Sequence, residues 1–104
     1  MKEYRIRKKA IQELESAGYV CWYPPKTRWG KKKDIFGVFD MIALKNDVVR
    51  FIQLTTASNM AAREKKVIKF LEENRLGILT EIWGWDKKTK RFRIVFLKKK
   101  YGNS

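Results

Sequence analysis

The sequence predicts an α/β fold in which a small mixed β-sheet is flanked by helices. Two observations lead to this fold class. Hydrophobic periodicity along the 104 residues gives the element order α-β-β-β-α-β-β. In addition, both faces of the central predicted hairpin are apolar, and such a sheet needs cover on both sides. A chain of this length has room for one hydrophobic core, so we expect a single domain over residues 1–104.

The first half of the chain contains one predicted helix and three predicted strands. Apolar residues at helical spacing predict a helix over residues 2–17. Three β-rich runs follow the helix, at residues 19–23, 38–45 and 48–55. Pro24 ends the first of these runs. The pair Asn46 and Asp47 fits a two-residue turn, so we expect the other two runs to form a hairpin.

The second half contains one more predicted helix and a second hairpin. Ser58 or Asn59 can cap a helix that runs to about Asn74. Two strands then form the second hairpin, at residues 78–85 and 91–97. We expect the basic tail, residues 98–104, to be frayed.

The composition is strongly basic, with 25 Lys and Arg residues against 11 Asp and Glu and a formal net charge of +14. The excess lies in residues 1–33 and 60–104, whereas residues 34–59 are weakly acidic. Such a charge favours a polyanionic partner, because neutralising it releases counterions. Nucleic acid is the first candidate and an anionic membrane surface is the alternative.

Membrane insertion and secretion are not expected. No stretch approaches the roughly 18 apolar residues of a spanning helix. The N-terminal residues lack the apolar core of a signal peptide. We therefore expect a soluble cytoplasmic protein, associated with a nucleoid or with phage DNA, and no membrane partner.

The absence of histidine removes several kinds of chemistry. Without it there is no Ser-His-Asp or Cys-His relay and no histidine-ligated zinc site. The single cysteine cannot form an intramolecular disulfide or a cysteine-rich metal site. These kinds of catalytic relay and metal site are therefore excluded.

Three oxygen-bearing side chains converge at one end of the central predicted hairpin. If Lys45 faces Val48 across the turn, Asp40 faces Gln53, with Cβ atoms roughly 4.5–5.5 Å apart. Thr55 points the same way as Gln53, because side chains alternate along a strand. A carboxylate with nearby carbonyl and hydroxyl oxygens suits Mg²⁺ or Mn²⁺. The alternative is that the strands emerge into solvent here.

The same segments resemble the core of the PD-(D/E)xK nuclease superfamily. The resemblance lies in residues 37–44 (GVFDMIAL) and 50–55 (RFIQLT), and the order of helices and strands agrees. Archaeal-type Holliday junction resolvases and related phage and restriction-type nucleases are the most similar members. The resemblance implies a restriction endonuclease-like fold and a Mg²⁺- or Mn²⁺-dependent endonuclease acting on DNA, including branched DNA. It also implies a homodimer, for which the hairpin of residues 78–97 is a candidate interface.

Residue by residue, the resemblance assigns a Q-x-T variant of the family motif. Asp40 matches the metal-binding Asp, and Gln53 matches the second ligand position, where Glu is usual. Thr55 stands where the catalytic Lys is expected, and a hydroxyl cannot supply that charge. Some members place the basic residue on the following helix, where Arg63 and Lys66 are the candidates. A solvated helix face is the alternative for these two residues.

Two further carboxylates are candidate metal ligands. The family usually has a Glu in the first helix, at a position that is basic here, and Glu3 lies one turn earlier. Asp34 is the preferred extra carboxylate, because Gly37 allows the loop to fold towards Asp40. The expected metal ligands are Asp40, Gln53, Asp34 and Glu3.

The polar loop before the motif mixes cations with one tryptophan. Its candidate nucleic-acid-binding residues are Lys26, Arg28, Trp29, Lys31, Lys32 and Lys33. We expect Trp29 to stack on a base or to wedge a junction; the alternative is a solvated loop with the indole on the core. For the whole chain, Gln53 and Thr55 support a second hypothesis, a catalytically degenerate nucleic-acid-binding module with the same fold.

Overall fold

The computed structural model describes residues 2–25 and 34–98, and in these ranges five strands form one mixed sheet with a helix on each face. The elements in chain order are α1 (Glu3–Ser16), β1 (Val20–Trp22), β2 (Met41–Lys45), β3 (Val48–Thr56), α2 (Met60–Glu73), β4 (Thr80–Asp86) and β5 (Arg91–Leu97). The predicted α/β class and element order are confirmed. Neither described helix is long and apolar enough to cross a membrane.

The strands are arranged in sequence order across the sheet. Neighbouring strands are antiparallel except β3 and β4, which run parallel and are connected through α2. The predicted register of the central hairpin is confirmed, since Lys45 pairs with Val48 and Met41 pairs with Ile52. Asn46 has a φ of 54°, which a two-residue hairpin turn requires at its first position.

The start of β2 differs from the prediction, which began this strand at residue 38. Phe36 and Gly37 have positive φ values of 54° and 71°, and they turn the chain just before the strand. The Ile35 N–H donates to the Phe39 carbonyl at 2.8 Å across this turn. Because the strand has not yet begun, Phe39 packs with α2. The apolar pattern alone does not distinguish such a turn from a strand.

α2 begins where the prediction placed it, but without the predicted side-chain cap. A short 3₁₀ turn, Ala57–Asn59, precedes the helix. Asn59 occupies the N-cap position, but its side chain makes no capping hydrogen bond. The Ser58 hydroxyl lies 3.1 Å from the hydroxyl of Thr56 instead. The predicted side-chain cap is therefore wrong.

Two apolar layers cover the two faces of the sheet. On one face, Ile6, Ala10 and Leu14 recur at helical spacing along α1 and are buried against the sheet. That layer also contains Trp83 and Trp85. On the other face the buried residues of α2 are Met60, Val67 and Leu71.

Gly84 marks the place where the start of α2 comes closest to the sheet. A Cβ atom at this position would overlap Met60 Sδ and would lie 3.1 Å from Ala57 Cα. Glycine therefore permits the close approach. Because Gly84 pairs with Thr55 across the parallel strands, the first turns of α2 lie beside the end of β3.

A partly buried ion pair connects β3 with β4 beside Tyr19, the residue that precedes β1. Glu81 is only 1% exposed. Arg50 Nε donates to Glu81 Oε2 at 2.6 Å, Arg50 Nη2 donates to Oε1, and Trp83 Nε1 donates to Oε1 at 3.0 Å. The hydrogen bonds to Glu81 raise the pKa of the Arg50 guanidinium. The guanidinium also lies 5.0 Å from the centre of the Tyr19 ring. Both carboxylate oxygens of Glu81 are therefore satisfied.

Replacing Arg50 with Met should leave the Glu81 charge buried and uncompensated. The free energy of unfolding should fall by about 3–5 kcal/mol. The double variant Arg50→Met/Glu81→Gln should recover most of this loss, because it removes both charges and keeps an acceptor for Trp83. Urea denaturation measures both values. A double variant as unstable as the single one would show that packing, and not charge, sets the loss.

Candidate functional site

A cavity of about 370 Å³ lies at the end of the sheet where β3 finishes and β2 begins. Four parts of the chain contribute to it: the start of α1, the turn before β2, the end of β3 and the first turns of α2. The lining residues are Glu3, Ile6, Asp34, Asp40, Gln53, Leu54, Thr55, Thr56 and Arg63. Six side chains that the sequence analysis selected therefore share one cavity: Glu3, Asp34, Asp40, Gln53, Thr55 and Arg63.

Asp40 and Gln53 form the buried centre of this lining, with 3% and 2% of their surface exposed. Gln53 Nε2 donates to Asp40 Oδ2 at 3.0 Å, and the Leu54 N–H donates to the same oxygen at 2.7 Å. The Asp40 N–H donates to the Ile52 carbonyl at 2.8 Å. These bonds hold the Asp40 carboxylate against β3, so its position is determined by the strand.

The other end of the Gln53 amide carries the least satisfied polar atom of the site. Gln53 Oε1 is buried and has no hydrogen-bond partner among the described residues. Leaving such a group unsatisfied costs about 1–3 kcal/mol. Reversing the amide would place Oε1 against Asp40 Oδ2, and two acceptor oxygens repel each other. A cation beside Asp40 would remove that repulsion, because carboxylate and amide oxygens are both ligands of hard cations.

The end of β3 and the start of α2 supply the remaining polar and basic groups. Thr55 is buried and follows Gln53 on the same face of β3. Arg63 is half-buried and brings a basic side chain into the lining. It is one of the two helix residues that the sequence analysis named as substitutes for the missing lysine.

Lys66, the other candidate, does not line the cavity. Its Nζ lies 3.9 Å from Asp34 Oδ2, and both side chains are partly exposed. Such a pair contributes about 0–1 kcal/mol. Among the described residues, Lys66 therefore contacts the lining of the cavity through Asp34.

The three carboxylates that the sequence predicts as metal ligands lie around one cavity. Glu3, Asp34 and Asp40 all contribute to the lining. Within residues 2–25 and 34–98, however, no group of three or more His, Cys, Asp or Glu side chains is arranged to hold a metal ion. A cation at Asp40 would depend on neutral oxygen donors. Mg²⁺ tolerates this, because it is commonly bound by one or two carboxylates together with water and substrate phosphates.

Three lining residues were not selected from the sequence: Ile6, Leu54 and Thr56. Leu54 acts through its backbone N–H, which donates to Asp40. A backbone donor has no residue-type pattern, so the sequence offers no means of finding it. The predicted nucleic-acid-binding residues of the loop lie outside the described residues: Lys26, Arg28, Trp29, Lys31, Lys32 and Lys33.

Comparison of the chain with protein-family models, with curated proteins and with solved structures gives no match.

The variant Gln53→Glu should distinguish a cation site from a purely structural hydrogen bond. A second buried carboxylate opposite Asp40 should lower the free energy of unfolding by about 3 kcal/mol in EDTA, because like charges repel. Mg²⁺ or Mn²⁺ should then raise the melting temperature of this variant more than that of wild type, since binding stabilises by mass action.

The matched control is Gln53→Leu, which removes the amide oxygen and should show no stabilisation by the cation. Thermal unfolding in EDTA and in millimolar Mg²⁺ gives the comparison. If the cation shifts the melting temperature of Gln53→Glu no more than that of Gln53→Leu, the site does not bind a cation.

Proposed function

We propose that this chain is a metal-dependent endonuclease that hydrolyses phosphodiester bonds in DNA, with a restriction endonuclease-like fold and a Q-x-T variant of the PD-(D/E)xK motif. One observation carries the proposal: Asp40, with a buried carboxylate, Gln53, whose buried amide oxygen is unsatisfied among the described residues, and the basic residue Arg63 all line one cavity at the end of the sheet. The net charge of +14 supports a polyanionic substrate. The resemblance favours branched DNA, such as a Holliday junction, in a nucleoid or a phage genome.

Asp40 and Gln53 are the residues that would hold a Mg²⁺ or Mn²⁺ ion, and Thr55, Asp34 and Glu3 line the same cavity. When bound, such an ion supplies Lewis-acid stabilisation of phosphate charge and a water of lowered pKa. The chain positions the Asp40 carboxylate through the Leu54 N–H and the Gln53 amide.

Arg63 takes the role of the missing motif lysine in this proposal. Its guanidinium would neutralise negative charge that builds up on the phosphate in the transition state. Arginine suits this task because it presents several donors in a rigid plane that matches a phosphate. Lys66 would act on the site indirectly, because its ammonium group pairs with Asp34, which lines the cavity.

A catalytically degenerate nucleic-acid-binding module is the second candidate, and specific contacts favour it. The Gln53 amide already donates to Asp40, so the pair satisfies part of its own hydrogen bonding without a cation. Thr55 supplies no positive charge. In this alternative the Asp40–Gln53 hydrogen bond only stabilises the turn before β2, and nucleic acid is bound but not cut.

The loop of residues 26–33 is proposed to contact the DNA backbone next to the cavity. Asp34, which follows this loop directly, lines the cavity. The candidate DNA-binding residues of the loop are Lys26, Arg28, Trp29, Lys31, Lys32 and Lys33. This part of the proposal rests on the sequence.

A homodimer formed through the outer part of the β4–β5 hairpin is also part of the proposal. Ile94 and Phe96 are exposed and lie on one face of β5, and Leu79 is exposed just before β4. Trp83 and Trp85 are buried in the core and are not available for such a contact. Exposed apolar side chains grouped in this way are typical of a protein interface.

Cutting of linear, flapped and four-way DNA should require Mg²⁺ or Mn²⁺ and should stop in EDTA. Asp40→Asn should lower the rate at least about 100-fold, as expected for loss of a group that stabilises transition-state charge. Asn is preferable to Ala, because Asp40 accepts two buried hydrogen bonds that Ala would leave unsatisfied. Arg63→Ala should have an effect of similar size.

The matched control for the cleavage assay is Asp47→Asn, at the opposite end of the same hairpin, which should cut as wild type does. DNA binding without cutting, equal in wild type and in Asp40→Asn, would instead support the degenerate module.

The double variant Ile94→Ser/Phe96→Ser should convert a dimer into a monomer, because it removes apolar area from the proposed interface. Sedimentation velocity measures the change. Leu44→Ser/Val49→Ser is the matched control, since these residues are similarly exposed on the opposite face of the sheet. Dissociation by the control pair, and not by the hairpin pair, would move the interface to β2 and β3.

A further inference from the structure

The β4–β5 hairpin carries an unbalanced group of cations. Residues 86–93 include five basic residues and one acidic residue, and all five basic side chains are exposed. Within the described ranges, Lys87, Lys88 and Lys90 take part in no ion pair. Their charges are therefore available to an external anion.

The one acidic residue of the hairpin is used to build the turn. Asp86 Oδ1 accepts the N–H of Lys88 at 2.9 Å and that of Thr89 at 3.4 Å, and Arg93 lies 3.3 Å from Asp86 Oδ2. The Lys88 N–H, with smaller contributions from Thr89 and Arg93, holds the pKa of the Asp86 carboxyl below its ordinary value. Lys90 has a φ of 56° and donates its N–H to the Asp86 carbonyl at 2.8 Å. The lysines are thus presented on a turn held by several hydrogen bonds.

The hairpin adjoins the candidate site. A second cavity, of about 400 Å³, lies at the base of the hairpin, and the residues that line it are Thr56, Ala57, Ser58, Trp85, Asp86, Lys87, Lys88 and Arg93. Thr56 lines both this cavity and the cavity that contains Asp40. The two cavities are therefore side by side at the end of β3.

The same surface continues from the hairpin onto α1. Lys9 Nζ lies 5.0 Å from the centre of the Trp85 ring, and Lys9, Lys90 and Trp85 line a common hollow. Glu13 also lines this hollow, so two cations face one carboxylate there. We use the term basic track for the side chains that run around the end of the hairpin, from the α1 face of the sheet to the second cavity beside the start of α2: Lys9, Lys90, Lys87, Lys88 and Arg93.

We propose that the basic track binds the phosphate backbone of a nucleic acid strand that continues into the candidate site. The inference rests on the proposed function for the direction of the strand. Lysines act as flexible point charges, which suits phosphates better than base edges, so the contact should be independent of sequence. A membrane surface fits less well, because an interfacial site needs exposed apolar side chains among its basic residues. Trp85 is buried and Phe92 is half-buried beside the lysines, and the exposed Ile94 and Phe96 lie further along β5.

The test is the triple variant Lys87→Ala/Lys88→Ala/Lys90→Ala, with binding to duplex and four-way DNA and to RNA of the same sequence measured in EDTA. Losing three phosphate contacts should reduce the slope of log affinity against log salt by about 2–3. Between about 50 and 200 mM salt, the affinity of the variant should therefore fall roughly 40-fold less than that of wild type. Circular dichroism verifies that the variant is folded.

The matched control is Lys65→Ala/Lys69→Ala/Lys98→Ala, which removes the same charge from exposed positions on α2 and after β5. This control should leave the slope within about 1 of wild type, because it removes no contact. Equal slopes of log affinity against log salt in the two triple variants would overturn the inference. The loss of affinity would then depend on the total charge of the protein and not on contacts made by the hairpin lysines. Weaker binding to phosphatidylserine vesicles with unchanged binding to nucleic acid would overturn it in favour of a membrane surface.

Failure of the track and failure of the nuclease proposal are distinguishable. If wild type does not cut DNA with Mg²⁺ but the hairpin variant loses salt dependence in EDTA, the track is supported and the nuclease is not. If wild type cuts DNA and the hairpin variant keeps the wild-type slope, the nuclease is supported and the track is wrong.

Discussion

The register of the β2–β3 hairpin is the constraint on which the candidate site depends. Because the turn at Asn46 places Lys45 opposite Val48, Asp40 meets Gln53 at the far end of the hairpin. A shift of one residue would send every side chain of β2 to the other face of the sheet. The buried carboxylate, its backbone donor at Leu54 and the unsatisfied amide oxygen of Gln53 all follow from this pairing.

Two carboxylates are buried in the described part of the chain, Glu81 in β4 and Asp40 just before β2, and they are stabilised in different ways. Glu81 is held by the guanidinium of Arg50 and by the indole of Trp83, and both of its oxygens are satisfied inside the core. The described hydrogen bonds to Asp40 come from an amide and from a backbone N–H, and they converge on one oxygen. The carboxylate of Glu81 is therefore enclosed within the fold, whereas that of Asp40 lines a cavity. This difference is the reason that the proposed function uses Asp40 and not Glu81.

The charge of the chain is effectively independent of pH near neutrality. Histidine is the side chain whose ordinary pKa lies between about 5 and 8, and the sequence has none. Attraction to a polyanion should then vary with salt far more than with pH. The proposed contacts, the loop of residues 26–33 and the basic track, are both of this salt-dependent kind.

Local pattern was sufficient for the element order, the hairpin register and the meeting of Asp40 with Gln53, because strand alternation and turn chemistry act over a few residues. It was not sufficient for the turn at Phe36 and Gly37, whose apolar neighbours also fit a strand. The periodicity of apolar residues predicts the backbone geometry within one helix or strand, and residue types predict the chemistry that a side chain can perform. Neither gives the distance between elements.

The positions of Glu3, Arg63 and Lys66 relative to Asp40 are distances between elements. They depend on how α1 and α2 pack on opposite faces of the sheet, including the close approach of α2 that Gly84 permits. The sequence alone therefore identified these residues as candidates and did not decide which of them reach the cavity. Tertiary packing brought Glu3 and Arg63 into the cavity and left Lys66 beside it, because packing sets which side chains share one space.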